Sequence, residues 1–141
     1  MTARARGLRL PIDLEQEIAR EAEARGKSWS AATQELLSEG VRMRRAPGIV
    51  FADGPSGRRA VVAGSGLDVW EVVRAWKEAR QEFAALRREL PWLAEPQLRA
   101  ALAYYQLYPQ EIDARLARED AWTPEKLRRE HPALAPVSDR R

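Results

Sequence analysis

The chain contains no cysteine and one histidine, His131. Without cysteine there is no disulfide framework and no thiolate metal site. A single histidine directly before Pro132 supplies no Ser–His or Cys–His nucleophile elsewhere in the chain, and one imidazole is too few for a zinc site. The phosphate loop GxxxxGK[ST] is absent. Gly64-Ser65-Gly66 lacks the third glycine of a dinucleotide fingerprint and lacks its strand–helix setting. Acidic pairs such as Glu119-Asp120 read as solvated surface. No apolar run approaches the roughly 20 residues of a membrane span. The arginines near the N-terminus have no apolar segment behind them, so no secretion signal is expected and the expected location is cytoplasmic. These absences predict no catalytic residue, no metal and no cofactor, and a protein that is not an enzyme.

What is present is arginine and helical periodicity. Of the 141 residues, 45% are hydrophobic and 32% charged, and the net charge is +3. That composition suits a globular chain of one domain or two small ones. Residues 1–9 carry Arg4, Arg6 and Arg9 with no acid, and Arg42, Arg44 and Arg45 follow at 41–46. Residues 48–120 hold ten basic and eleven acidic side chains, so the basic excess lies at the ends of the chain.

The stretch Leu8–Val41 carries the clearest organisation. Leu8 and Leu10 alternate with Gly7 and Arg9, the period of a half-buried strand, and Pro11 ends the run because it has no N–H for a ladder. Two helical patterns follow. Leu14, Ile18 and Ala22 mark the first; Trp29, Ala32, Leu36 and Gly40, with Thr33, Leu37 and Val41 beside them, mark the second. Gly26 suits a helix C-terminus, and Ser28 or Ser30 the next N-cap. A lone strand and two short helices cannot close a core, so a twofold partner is expected.

This strand–helix–helix order, with Pro11 after the strand and Gly26-Lys27-Ser28 between the helices, resembles the ribbon-helix-helix DNA-binding proteins. The resemblance implies a homodimer whose intermolecular two-stranded ribbon enters the major groove. Arg9 would then face the bases, where a guanidinium can fork onto guanine. Arg4, Arg6 and Lys27 would neutralise phosphates, and Ser28 and Ser30 would lie at a helix N-terminus that favours an anion. Gly7 and Ala5 depart from the polar readers usual on such a ribbon, so base reading rests on Arg9 alone.

Arg44-Arg45-Ala46-Pro47-Gly48 breaks the helical pattern and sets a boundary after 46. Residues 49–52 and 58–63 are β-rich runs around a five-residue turn, Asp53–Gly57, and predict a hairpin. Asp68 with Glu71 forms a capping-box pattern ahead of Val69, Val72, Val73 and Trp76. A short helix is expected over Gln81–Leu90 and a longer one over Glu95–Tyr108, with Leu98, Ala101, Leu102 and Tyr105 inside. Glu95, Gln97, Arg99, Ala100, Tyr104 and Gln106 would form its exposed face. Pro109 opens another helix with Ile112 and Leu116 on one side. The blocks Gly64–Val73, Phe83…Leu93 and Gln97–Tyr105 resemble a bacterial domain-of-unknown-function family, number four-three-three. That resemblance implies a homeodomain-like helix-turn-helix module found in VapB-type antitoxins. Gly66 and Ala94 depart from its basic turn residue and its Ser/Thr cap.

The tail from 120 onward has Thr123, Pro124 and Glu125 as a helix start, and Trp122 with Leu127 at staple spacing. The expected fold class is therefore mainly α with short β. A ribbon-helix-helix module spans 1–46, a β-hairpin plus helix-turn-helix bundle 47–119, and a partly extended tail 120–141. The resemblances together imply an antitoxin that represses its own operon at operator DNA and neutralises a PIN-domain ribonuclease toxin. Trp122 and Leu127 would contact that toxin. Arg128 and Arg129, with Arg140 and Arg141 behind them, would reach its carboxylate cluster by forked contacts. The alternatives are a stand-alone ribbon-helix-helix repressor with a ligand-sensing or oligomerising second module, and a structural adaptor without a DNA role.

Overall fold

Helix formers dominate the chain between its glycine and proline breaks, and the computed structural model, which describes residues 2–134, is mostly helical. The chain divides into two compact units, Met1–Arg44 and Arg45–Arg141.

In the first unit α1 (Ile12–Ala24) begins directly after Pro11 and α2 (Trp29–Arg45) follows a four-residue connection. The connection is a Schellman stop: Lys27 N–H donates to Ala22 O at 2.9 Å and Gly26 N–H to Glu23 O at 3.1 Å. Gly26 takes φ +62, the left-handed region open to glycine without a Cβ penalty. Ser28 is the cap of α2, its Oγ accepting from Ala31 N–H at 3.1 Å. Only Ile18, Ala22 and Ala32 of this unit are buried among the described residues. Residues 2–10 form no regular secondary structure. The strand expected at 7–10 needs a ladder partner, and none of the described residues pairs with it.

The second unit opens with a hairpin, β1 (Ile49–Gly54) and β2 (Gly57–Val62). The antiparallel register pairs Ile49 with Val62 and runs to Gly54 opposite Gly57. The loop is thus two residues, Pro55-Ser56, and not the five expected: Asp53, Gly54 and Gly57 extend the ladder instead of the turn. Gly48, ahead of β1, sits at φ +93, and a Cβ there would lie 3.1 Å from the Ala100 Cβ. This close approach lets the hairpin lie on a helix.

Four helices complete the core: α3 (Val69–Glu78), α4 (Phe83–Glu89), α5 (Glu95–Leu107) and α6 (Pro109–Asp120). Val69, Val72 and Val73 of α3, Leu86 of α4, Leu98 and Ala101 of α5, and Ile112 and Leu116 of α6 are buried against Ile49 and Val62 of the hairpin. The valines follow the expected i, i+3, i+4 stripe. Tyr104 corrects the expectation for α5. It is 0% exposed, with its ring edge-on to Phe51 at 6.4 Å and its hydroxyl donating to the Glu111 carboxylate. The hydroxyl finds its acceptor across the α5–α6 corner, which lets the ring go inside. Tyr105, expected inside, is half-buried.

The caps follow the same economy. Glu71 accepts from the Asp68 N–H at 2.8 Å. Ala94 has no side-chain acceptor to cap α5, and Gln97 supplies the reciprocal half, its Oε1 accepting from the Ala94 N–H at 2.8 Å. The Gln97 amide also donates to Ala63 O at 3.1 Å, tying α5 to the end of the hairpin. Beyond α6, α7 (Pro124–Glu130) starts at Thr123, whose Oγ1 accepts from Lys126 N–H at 3.1 Å, and a 3-10 turn covers Pro132–Leu134. No helix among the described residues is long and apolar enough to cross a membrane.

Candidate nucleic-acid interface

The first unit leaves most of its apolar side chains in solvent. Leu8 (70% exposed), Ile12, Leu14, Trp29, Leu36, Leu37 (57%), Val41 and Met43 are eight of the twelve exposed large hydrophobics among the described residues. Their placement is not scattered. Leu8, Leu10, Leu14, Ile18, Thr33, Leu36 and Leu37 line one groove of about 360 Å³, with Glu17 and Glu21 also among its lining residues. Leu8 and Leu10 reach the same groove while the intervening Arg9 does not line it, as a period of two requires. Leu14 and Ile18 on α1, and Thr33, Leu36 and Leu37 on α2, come from faces set by i, i+3, i+4 spacing.

Arg9, on the other side of that alternation, is exposed, as are Arg4 and Arg6 earlier in the arm, and none of the three makes an ion pair among the described residues. Three guanidiniums without carboxylate partners form a local field favourable to phosphate. Lys27 is differently placed: its ammonium is ion-paired with Glu35 of α2, so it contributes less free charge than its position suggested. Ser28 spends its hydroxyl on the Ala31 cap, and Ser30 is exposed beside it. Lys27 therefore differs from the three exposed arm arginines in chemical role.

The far end of the second unit carries another exposed apolar feature. Trp122, 46% exposed, lines a groove of about 360 Å³ with Thr123, Pro124, Leu127 and Arg128. Its ring lies 5.8 Å from that of His131, and Lys126 Nζ sits 5.0 Å from its centre. Arg128 and Arg129 are exposed on α7, and Arg128 joins the groove. Arg140 and Arg141 lie outside the described residues.

Two features went unread in the sequence. Asp68, 95% buried by area, is the buried charged side chain of the described residues; it pairs with Arg59 and accepts from the Trp70 indole N–H at 3.1 Å. Only its cap role was legible. The second is the triad of Tyr105, Asp113 and Lys77. Asp113 Oδ1 accepts from the Tyr105 hydroxyl at 2.7 Å and from Lys77 Nζ at 3.2 Å. The Tyr105 hydroxyl, ahead of Lys77, holds the Asp113 carboxyl below the usual aspartate range. The same hydroxyl, with Asp113, holds Lys77 above the usual lysine range. Glu95 is lowered by its hydrogen bonds from Arg99.

Compared with known protein families, with curated proteins and with solved structures, the chain matches none.

Proposed function

We propose that this chain is a homodimeric DNA-binding repressor of antitoxin type, in which the first unit dimerises and holds DNA and the far end of the second unit holds a protein. The observation that carries this reading is the first unit's core: three buried side chains, Ile18, Ala22 and Ala32, beneath an open apolar groove. So small a unit does not bury enough surface to be stable alone. A second copy would place leucines in the groove and pair the Leu8–Leu10 segments as a ribbon. The arginines of two arms would then lie side by side, doubling the positive field at one place.

On this reading Arg4 and Arg6 contact phosphates, Arg9 reaches a base edge, and Lys27 with Ser28 and Ser30 borders the backbone. One base-directed arginine per strand gives affinity and twofold symmetry more readily than fine sequence discrimination. The Trp122 groove with Arg128 and Arg129 beside it supports a protein partner rich in carboxylates, for which a ribonuclease of the PIN-domain class is the expectation.

The test is binding of the full chain to duplex DNA from its own promoter region as salt is varied, followed by Arg9→Ala. Binding should weaken steeply with salt, and Arg9→Ala should cost about 1–3 kcal/mol. Affinity that ignores both salt and Arg9 contradicts the DNA role. Co-expression with a ribonuclease encoded beside it separates antitoxin from stand-alone repressor: an active, unbound nuclease leaves only the repressor.

A further inference from the structure

One cluster in the second unit is absorbed neither by DNA binding through the arm nor by a partner at Trp122. Arg58, Arg59 and Ala60 of β2, Trp70 of α3, and Glu111, Ile112, Arg115 and Arg118 of α6 line a cavity of about 100 Å³. Four guanidiniums, two from β2 and two from α6 more than fifty positions further along the chain, converge on one small space. Like charges so placed repel one another, and the fold holds them there with outlying carboxylates. Asp53 pairs with Arg58 at 3.0 Å, Asp68 with Arg59, and Glu119 with Arg115 at 2.8 Å. None of those three acids lines the cavity. Glu111 does, and its Oε2 accepts from the buried Tyr104 hydroxyl.

The tethers fix Arg59 and Arg115 without using up their donors. A guanidinium has five N–H donors. Arg59 gives Nη1 to Asp68 and Nε to the Asp53 carbonyl at 3.2 Å; Arg115 gives Nε and Nη2 to one oxygen of Glu119. Further donors of both forks remain. The Arg115 guanidinium also lies 5.2 Å from the centre of the Trp70 ring, and the Trp70 N–H is held by Asp68. Arg118, exposed on α6, has no ion-pair partner among the described residues. Pre-positioned forks lose little freedom when an oxyanion arrives, which is the condition for forked phosphate recognition. The space holds several water-sized groups, the scale of one phosphate.

We propose that Arg58, Arg59, Arg115 and Arg118, positioned around Trp70, form a phosphate-binding site in the second unit. The phosphate can be a free anion or one phosphodiester of a nucleic-acid backbone; the chemistry recognised is the same. The site does not depend on the first unit or on dimerisation.

The test follows the Trp70 indole N–H resonance of the full chain, assigned with Trp70→Phe. Inorganic phosphate, a duplex of unrelated sequence, and sodium chloride at matched ionic strength are titrated separately. A saturable shift with phosphate, weakened roughly tenfold or more in Arg118→Gln, supports the site. A shift with duplex alone, lost in the same variant, supports it and assigns the phosphate to a nucleic-acid backbone. Arg118 has no partner to lose, so its variant should keep the wild-type melting temperature; Arg115→Gln is the second variant. No shift with either ligand, a shift reproduced by chloride, or one unchanged in both variants overturns the proposal. DNA binding unchanged in Arg9→Ala, with an intact Trp70 response, would sink the arm and leave this site standing.

Discussion

Asp113 shows what one residue decides in the second unit. It is not a core residue, yet a tyrosine hydroxyl and a lysine ammonium from two other helices end on the same carboxylate oxygen. Because its pKa in the fold is lowered, the stabilisation is present above the pKa of an unfolded aspartate and is lost as pH falls through the folded value. Asp113→Asn should therefore lower stability near neutrality by on the order of 0.5 kcal/mol, the scale of an exposed ion pair. The deficit should shrink as pH falls below the ordinary aspartate range toward the lowered folded value. Denaturant melts of both proteins from pH 3 to 7 check this; a deficit that persists undiminished in acid rules it out. Lys77 acts at the other end. Its raised pKa means its share is present below the ordinary lysine pKa and is lost as pH rises through the folded one. Neither residue was legible in sequence, because Lys77, Tyr105 and Asp113 become neighbours only when α3, α5 and α6 pack.

The elements divide by how local their causes are. The start of α3 was readable from Asp68 and Glu71, and that of α7 from Thr123-Pro124, since caps act over three residues. The stop of α1 was readable from Gly26. The stop of α3 was not: Arg80 and Gln81 both take left-handed φ, +56 and +60, without a glycine to announce it. Gln81 N–H closes on Trp76 O at 2.8 Å, a bond that repays the unfavourable backbone. The hairpin loop was misjudged because Gly54 and Gly57 pair with each other where turn residues were expected. The central element is α5, which carries Leu98, Ala101 and Tyr104 into the core. Leu98→Ala should destabilise the second unit by about 2–5 kcal/mol. Gly48→Ala should cost about 1–3 kcal/mol from its left-handed backbone, with the Ala100 contact adding to it. Thermal or denaturant melts of these two variants check both values; wild-type stability in Leu98→Ala would contradict the core assignment.

At the scale of the whole molecule, the two units are built on opposite principles. The second closes its core around thirteen buried apolar residues and can dispense with a partner. The first turns its leucines outward. Its helix pair and open face were legible from periodicity, since i, i+4 and i, i+2 spacing act along one chain. The expected strand at 7–10 has no ladder partner among the described residues, and on the proposed reading its hydrogen bonds would come from a second copy. On the proposed reading the arm arginines act where two copies bring them together.

The most direct test of this account is the mass of the full chain in solution by sedimentation equilibrium, wild type against Leu37→Asp. Leu37 lines the groove and is already 57% exposed, so an aspartate there should leave the single chain's helices intact. The account predicts a wild-type dimer that Leu37→Asp turns into a monomer with unchanged second-unit stability and lost DNA binding. A wild-type monomer at concentrations well above those that bind DNA would contradict it, as would a dimer indifferent to Leu37→Asp.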